Sequence, residues 1–120
     1  MYSHEDLGTI AEDTVAFELQ QRGWSILERN YRWIGCELDI VAQKGKTLAI
    51  IEVKYRRGLA YCELSTLISK RKSDALKKGA IVYLARSTKI ADWETVRIDV
   101  ALVTGPPSQY QIRYYPAAVE

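Results

Sequence analysis

Two short segments of the sequence carry charged residues inside runs that otherwise favour β-strands. The first is GCELDIV, which contains Asp39, and the second is IIEVKYRR, which contains Glu52 and Lys54. Because strand side chains alternate between the two faces of a sheet, Ile50, Glu52 and Lys54 are predicted to lie on one face. An acid followed by a cation on one side of an apolar strand suggests a chemical site.

A turn between these two segments is predicted to bring their acids together. KGK at residues 44–46 is typical of a tight hairpin turn, which makes the strands on either side neighbours. Asp39 and Glu52 then approach each other across the pair if their faces match. Strict alternation divides the strand that contains GCELDIV into two predicted faces. Glu37, Asp39 and Val41 lie on one face, and Cys36, Leu38 and Ile40 lie on the other.

Two carboxylates held close together repel each other unless a positive charge lies between them. Lys54 is one candidate for that charge, and a divalent cation is the other. Carboxylate oxygens suit Mg²⁺ or Mn²⁺, and such an ion activates water and neutralises a scissile phosphate. Lys54 would orient the water or stabilise the charge on the phosphorane. The pattern predicts a site for phosphodiester hydrolysis, and an ordinary exposed charged face is the alternative.

Composition restricts the class of protein and excludes several kinds of site. The 120 residues, of which 48% are hydrophobic and 27% charged, are typical of one soluble globular domain. The two cysteines form no CxxC pair and the one histidine is His4, which argues against a zinc finger, a disulfide framework and a Ser-His-Asp triad. No run is apolar enough to span a bilayer, and the acidic start is unlike a signal peptide. We expect a cytoplasmic protein that does not bind membranes.

Basic residues are concentrated in one part of the chain. Residues 54–78 hold eight of the 17 lysines and arginines against two acids. A dense basic segment attracts a phosphate backbone, although a solvated lysine-rich helix face is an equally good account. The predicted nucleic-acid contacts from this segment and from the first strand are Arg32, Arg56, Arg57, Lys70, Arg71 and Lys72.

The pattern of apolar residues predicts an α/β domain with a mixed sheet and helices packed on it. A helix is expected from Ser3 to Gly23 and a second from Leu64 to Ala85. The five predicted strands cover residues 24–33, 36–43, 47–55, 93–103 and 110–115, in the order α-β-β-β-α-β-β.

Most of the chain resembles the YraN-like family of small predicted nucleases, which have the restriction-endonuclease-like fold with its PD-(D/E)xK core. The resemblance implies that Asp39 and Glu52 are metal ligands, that Lys54 is the catalytic lysine, and that Glu12 completes the site from the first helix. The matching positions run from residue 8 to residue 103 and comprise Gly8, Glu12, Asn30, Arg32, Glu37, Asp39, Glu52, Val53, Lys54, Arg56, Lys72, Arg97, Asp99 and Val100.

Several charged residues have two interpretations on the sequence alone. Glu37 is either a partner that supports the metal ligands or an ion-pair partner of Arg32 or Arg56. Arg97 and Asp99 alternate with apolar residues, and we predict a same-face ion pair rather than a catalytic role. The tryptophans are predicted to pack in the core, although stacking on unpaired bases is an alternative.

These observations lead to one principal hypothesis and two rivals. The principal hypothesis is a Mg²⁺- or Mn²⁺-dependent nuclease acting on DNA, on branched or damaged substrates in particular. A homodimer is plausible because cutting two strands needs two sites. The first rival is a non-catalytic nucleic-acid-binding module that retains the fold, and the second is a protein-interaction domain whose charged strand face is ordinary surface.

Overall fold

Five strands form one mixed sheet whose spatial order follows the chain, β1-β2-β3-β4-β5. The computed structural model describes residues 4–58, 64–87 and 93–119. Its helices are α1 (His4–Gln21), α2 (Leu64–Leu67) and α3 (Lys70–Arg86), with a 3₁₀ turn at Pro107–Gln109. Its strands are β1 (Ser25–Trp33), β2 (Cys36–Lys44), β3 (Thr47–Arg56), β4 (Thr95–Thr104) and β5 (Gln111–Val119). The predicted order of strands and helices is confirmed.

The pairing of the strands agrees with the predicted mixed sheet. β1 with β2, β2 with β3, and β4 with β5 are antiparallel pairs, whereas β3 and β4 are parallel. The predicted hairpin is present, because Lys44 pairs with Thr47 on either side of the turn. Parallel neighbours need a long crossover, and the segment containing α2 and α3 lies between β3 and β4 in the chain.

The two long helices cover opposite faces of the sheet. Ala11, Val15 and Leu19 of α1 pack on one face. Leu76, Ala80 and Tyr83 of α3 pack on the other. A Cβ added at Gly79 would lie 2.9 Å from both Cys36 Sγ and Leu38 Cδ2. The absence of a side chain at Gly79 therefore lets α3 approach β2 closely.

The predicted second helix is divided, which corrects the single helix expected from Leu64 to Ala85. α2 ends at Leu67, and Ser69 is extended, with φ −72° and ψ 162°. The Ser69 hydroxyl accepts a hydrogen bond from the backbone N–H of Lys72 at 3.1 Å. Serine is a strong N-cap residue because this bond satisfies an otherwise unpaired N–H of the first turn. α3 therefore begins at Lys70, which places the predicted basic run in its first turn.

The predicted alternation along β2 is wrong at one position. Leu38 and Val41 both pack on the α3 face, whereas Ile40 between them packs on the α1 face. Leu38 and Ile40 are predicted to share a face but lie on opposite faces of the sheet, so the alternation breaks between them. The alternation breaks where the pairing with β3 stops, since the last partners in this direction are Ile40 and Ile51. Across the described residues, no helix has the length and apolarity needed to cross a membrane.

Candidate active site

The candidate site lies where β2 and β3 separate. Beyond the Ile40–Ile51 pair, the side chain of Asp39 continues the connection: its Oδ2 accepts a hydrogen bond from the backbone N–H of Val53 at 2.9 Å. The Asp39 carboxylate thus takes the place of a strand carbonyl on the open edge of β3. This arrangement directs one carboxylate into the gap between the two strands, next to Glu52.

Asp39 and Glu52 face each other in this gap, as the hairpin predicted. Glu52 is buried, with 4% of its surface exposed. Burial, and then the negative charge of Glu52, raise the pKa of Asp39 to about 7, against the opposing effect of the Val53 hydrogen bond. Near neutral pH the pair therefore tends to hold one proton in place of a second negative charge.

Two lysines from different elements neutralise Glu52. Lys54 Nζ lies 3.3 Å from Glu52 Oε2, and Lys72 Nζ lies 3.4 Å from the same oxygen. Lys54 follows Glu52 on β3, as predicted. Lys72 comes from the first turn of α3, and sequence reasoning had placed it only as a phosphate contact. The sequence pattern alone does not indicate this second ammonium group at the candidate site.

Glu12 lies near the acid pair without joining it in a compact cluster. Its pKa is raised by burial in the first place, and the neighbouring Arg29 opposes that effect. The charge of Glu12 acts on Asp39, and that of Glu52 acts on Glu12. Among residues 4–58, 64–87 and 93–119, no three His, Cys, Asp or Glu side chains are grouped closely enough to hold a metal ion together. The assignment of Glu12 as a ligand stays a prediction.

The other predicted site residues lie outside the gap. Glu37 forms an exposed ion pair with Arg32 at 3.3 Å, one of its two predicted interpretations. Arg56 donates from Nη1 to its neighbour's backbone carbonyl at 2.8 Å. Lys70 pairs with Asp74 at 3.0 Å on the surface of α3. Four of the predicted nucleic-acid contacts are exposed and lie within three residues of Lys54 or Lys72 in the sequence. They are Arg56, Arg57, Lys70 and Arg71.

The tryptophans divide between the two interpretations. Trp24 packs against the core on the α1 face, and Trp93 packs against the core on the α3 face, as predicted. Trp33 differs, because 43% of its surface is exposed. The guanidinium of Arg86 lies over its ring, 3.2 Å from the ring centre. Trp33 is therefore held by a cation–π contact at the surface rather than by burial in the core.

The donor set suits a hard divalent cation. Mg²⁺ is commonly held by one or two carboxylates and completes its shell with water and substrate phosphate oxygens. Asp39 and Glu52 supply that number, and their mutual repulsion is the cost that a cation between them would remove. The residues present therefore fit a Mg²⁺ or Mn²⁺ ion held by Asp39 and Glu52.

Comparisons with known proteins identify the family to which the chain belongs. Residues 11–103 match the profile of the uncharacterised protein family UPF0102. A UPF0102 protein of Dictyoglomus thermophilum is 38% identical over 98 residues, which cover 82% of this chain and 81% of that protein. One from Geobacter metallireducens is 32% identical over 117 residues, covering 98% and 94%.

A solved structure shares the fold. The Holliday junction resolvase Hjc of Archaeoglobus fulgidus superposes with a TM-score of 0.59 at 26% identity, covering 92% of this chain and 72% of that chain. The predicted restriction-endonuclease-like α/β fold is confirmed by this match. The chain belongs to the UPF0102 family, and its resemblance to the YraN-like proteins is confirmed.

Proposed function

We propose that the protein is a Mg²⁺- or Mn²⁺-dependent endonuclease that hydrolyses phosphodiester bonds of DNA, with branched DNA as the preferred substrate. The observation that carries the proposal is the meeting of Asp39 and Glu52 where β2 and β3 separate, with two lysine ammonium groups on Glu52. A binding surface for phosphates has no use for two facing carboxylates, because they repel the ligand. A hydrolytic site uses them.

Each residue of the gap has a role in this chemistry. A divalent cation bound by Asp39 and Glu52 would act as a Lewis acid on the scissile phosphate and on a water molecule. Lys54 would orient the attacking water and donate to the phosphate oxygens as charge develops on them. Lys72 would hold the Glu52 side chain in place through its contact at 3.4 Å. The water oxygen bonds to phosphorus, the P–O bond to the leaving strand breaks, and a proton passes to the leaving oxygen.

Two observations favour DNA, and branched DNA in particular. The solved structure with the same fold is a Holliday junction resolvase, a protein of branched DNA. The exposed cations Arg56, Arg57, Lys70 and Arg71 flank the site in the sequence and suit a phosphate backbone. Arg32 remains a candidate contact although it pairs with Glu37, since an exposed ion pair is weak and easily exchanged. A homodimer would supply the two sites that paired cuts require.

A cleavage assay tests the proposal directly. The protein is incubated with Mg²⁺ or Mn²⁺ and a panel of four-way junctions, flaps, duplexes and single strands, beside Asp39→Ala and Glu52→Ala proteins. We expect cleavage that is strongest on branched substrates, that EDTA stops, and that both variants lack. Cleavage that persists in both variants, or that continues in EDTA, would remove the assignment.

A non-catalytic nucleic-acid-binding module is the second candidate, and one observation favours it. Each acid already has partners within the protein, since Glu52 contacts two lysines and Asp39 accepts the Val53 N–H. In that case DNA binding would depend on salt and occur without turnover. Substitution of Lys70, Arg71 and Lys72 would then weaken binding more than substitution of Asp39. The same panel, read by gel shift as well as by cleavage, separates the two candidates.

A further inference from the structure

A second concave site lies on the α1 face of the sheet, away from the acid pair. It is a groove of about 760 Å³ between the C-terminal part of α1, the β2–β3 hairpin and the strands β4 and β5. That volume is within the range of ligand-binding pockets, about 300–1,000 Å³. The charged residues of its wall are Arg22, Lys44, Arg97 and Glu18. The groove contains none of the residues assigned to the nuclease site.

Arg97 presents a fixed guanidinium group to this groove. Its Nε donates to both oxygens of Asp99, at 3.1 and 3.2 Å, which confirms the predicted ion pair. The Tyr114 hydroxyl lies next to the Arg97 guanidinium, whose charge opposes the burial that raises the pKa of Tyr114. The fully buried Asp99 thus holds the guanidinium in place at the wall of the groove. A fixed fork of this kind suits a phosphate.

Aromatic rings on the same wall are also held in fixed positions. The Tyr114 hydroxyl donates to Asp99, and the Tyr110 hydroxyl donates to the backbone carbonyl of Leu7 at 3.4 Å. The guanidinium of Arg97 lies 5.3 Å from the centre of the Trp24 ring. Rings tied down at one end lose little freedom when a planar ligand stacks on them. Aromatic faces next to cations are the arrangement with which proteins hold unpaired nucleotides.

The charge of the groove agrees with such a ligand. Three cations face one wall acid, Glu18, and the second acid, Asp99, is buried beneath Arg97. Glu18 is engaged with Arg22 at 2.9 Å. Lys44 also lines the groove, and its Nζ donates to the uncharged backbone carbonyl of Arg22 at 2.7 Å. An anionic ligand is therefore favoured over a neutral or cationic one.

We propose that this groove binds an unpaired segment of single-stranded DNA, with a phosphate at Arg97 and Lys44 and bases against Trp24, Tyr110 and Tyr114. The proposal rests on the proposed function, because it assigns the groove to the non-duplex part of a branched substrate. Strand β3 connects the two sites, since Thr47 lines the groove and Glu52 belongs to the acid pair. Five residues of strand span about 17 Å, which is the distance along β3 between the two sites.

The hairpin offers a matched pair of variants for the test. Lys44 and Lys46 lie on opposite sides of Gly45, both are exposed, and only Lys44 lines the groove. Lys46 pairs with Glu94 at 3.4 Å on the surface. Lys44→Glu and Lys46→Glu therefore change the net charge equally, and Lys44→Gln is a milder form of the first. Thermal melts of all three verify that the fold is retained.

Binding is measured by fluorescence anisotropy with a labelled twelve-nucleotide oligo-dT in EDTA, so that the result does not depend on cleavage. We expect Lys44→Glu to weaken binding at least about fivefold at low salt and Lys46→Glu less than about twofold. Lys44→Gln should give a smaller loss in the same direction as Lys44→Glu. A duplex of the same length should not distinguish Lys44→Glu from Lys46→Glu. Equal losses for both variants, or an equal loss on duplex and single strand, would overturn the proposal.

Two further measurements separate other occupants. Thymidine monophosphate that displaces the oligonucleotide at a similar concentration would identify a free nucleotide as the ligand and contradict the assignment to DNA. Sedimentation that shows a dimer lost only in Lys44→Glu, with oligonucleotide binding unchanged, would identify a second copy of the chain. Because binding is measured without metal, failure here leaves the cleavage prediction standing, and failure of cleavage leaves this one standing.

Discussion

The sheet buries acids in two places, and their surroundings differ in the number of donors. Asp99 on β4 is fully buried and accepts hydrogen bonds from Arg97 Nε, the Tyr114 hydroxyl and the backbone N–H of Ala117 at 2.8 Å. A buried carboxylate with this many donors is satisfied within the fold. Burial and the bond to Asp99 raise the pKa of Tyr114, which keeps this donor protonated.

The acid pair between β2 and β3 has a different balance. Asp39 receives one backbone donor, from Val53, and faces a second acid, Glu52. The pKa of Asp39 is raised to about 7 because burial and the charge of Glu52 disfavour its ionised form. Burial alone therefore does not distinguish a structural acid from a functional one. The two places differ in how donors are shared, because Asp99 alone has three donors, whereas Asp39 has one and faces a second acid.

The largest expected effect is on cleavage. Asp39→Asn and Glu52→Gln keep the size of each side chain but remove its charge, so a divalent cation loses a ligand. We expect either variant to lower the rate of DNA cleavage at least about a thousandfold, equivalent to about 4 kcal/mol in the barrier. Single-turnover assays on a branched substrate measure it. Glu37→Gln, which removes a nearby exposed acid, is the control and should stay within about threefold of wild type.

The same substitution at Asp99 should act on stability instead. Asp99→Asn leaves the Arg97 charge without its counterion next to the core, and we expect the free energy of unfolding to fall by about 3 kcal/mol. Asp39→Asn should change it by less than about 1 kcal/mol, because the amide oxygen can still accept the Val53 N–H and the loss of the charge relieves the repulsion from Glu52. Urea unfolding curves measure both. A comparable loss for the two variants would contradict the distinction between a satisfied acid and an unsatisfied one.

Much of this contrast could be anticipated from the sequence. Runs of β-branched residues and the KGK turn identified β2, β3 and their hairpin, and the resemblance to the YraN-like family pointed to Asp39, Glu52 and Lys54. Arg97 and Asp99 were predicted as a pair because they are two residues apart in a strand. These features depend on local periodicity, which the sequence displays directly.

The parts that could not be anticipated depend on breaks in periodicity. Strict alternation in β2 holds only where the strand is continuously paired, and it fails beside Asp39, where β3 separates. The choice of Lys72 over Lys70 or Arg71 as the lysine that reaches Glu52 depends on the start of α3 after Ser69. The groove draws its wall from segments far apart in the chain, including Arg22, Lys44 and Tyr110. No short pattern reports such a juxtaposition.

A smaller effect is expected when Lys72 is tested against its neighbour. Lys72→Met removes an ammonium group 3.4 Å from Glu52, and Lys70→Met removes one that pairs with Asp74 on the surface. We expect Lys72→Met to lower kcat about tenfold, which is about 1.4 kcal/mol, and Lys70→Met to leave kcat within twofold. Steady-state kinetics on one junction substrate give kcat and KM separately. A rise in KM alone for Lys72→Met would return that residue to the role of a phosphate contact.

An effect of similar size to that of Lys72→Met is the dependence of stability on pH in the absence of metal. The folded-state pKa of Asp39, about 7, is raised above its ordinary value of 3.8, so the folded protein holds a proton that the unfolded chain releases. The stability contributed by that proton is fully present below about pH 4 and is lost as pH rises through about 7. Asp39→Asn cannot titrate. In EDTA, the unfolding free energy of wild type should therefore fall relative to Asp39→Asn by about 1–2 kcal/mol between pH 5 and pH 8, after allowance for solvent screening.

Glu37→Gln serves as the control for this titration. Glu37 is exposed and forms an ion pair with Arg32, so the curve of this variant should run parallel to that of wild type. Curves for wild type and Asp39→Asn that stay parallel from pH 5 to pH 8 would mean that Asp39 and Glu52 do not share a proton.

A further measurement adds Mg²⁺ at pH 8 and compares the unfolding free energies of the two proteins again. An ion that binds the folded state through both carboxylates should restore stability to wild type and leave Asp39→Asn unchanged. That restoration would show that Mg²⁺ relieves the repulsion between Asp39 and Glu52 that lowers the unfolding free energy at pH 8.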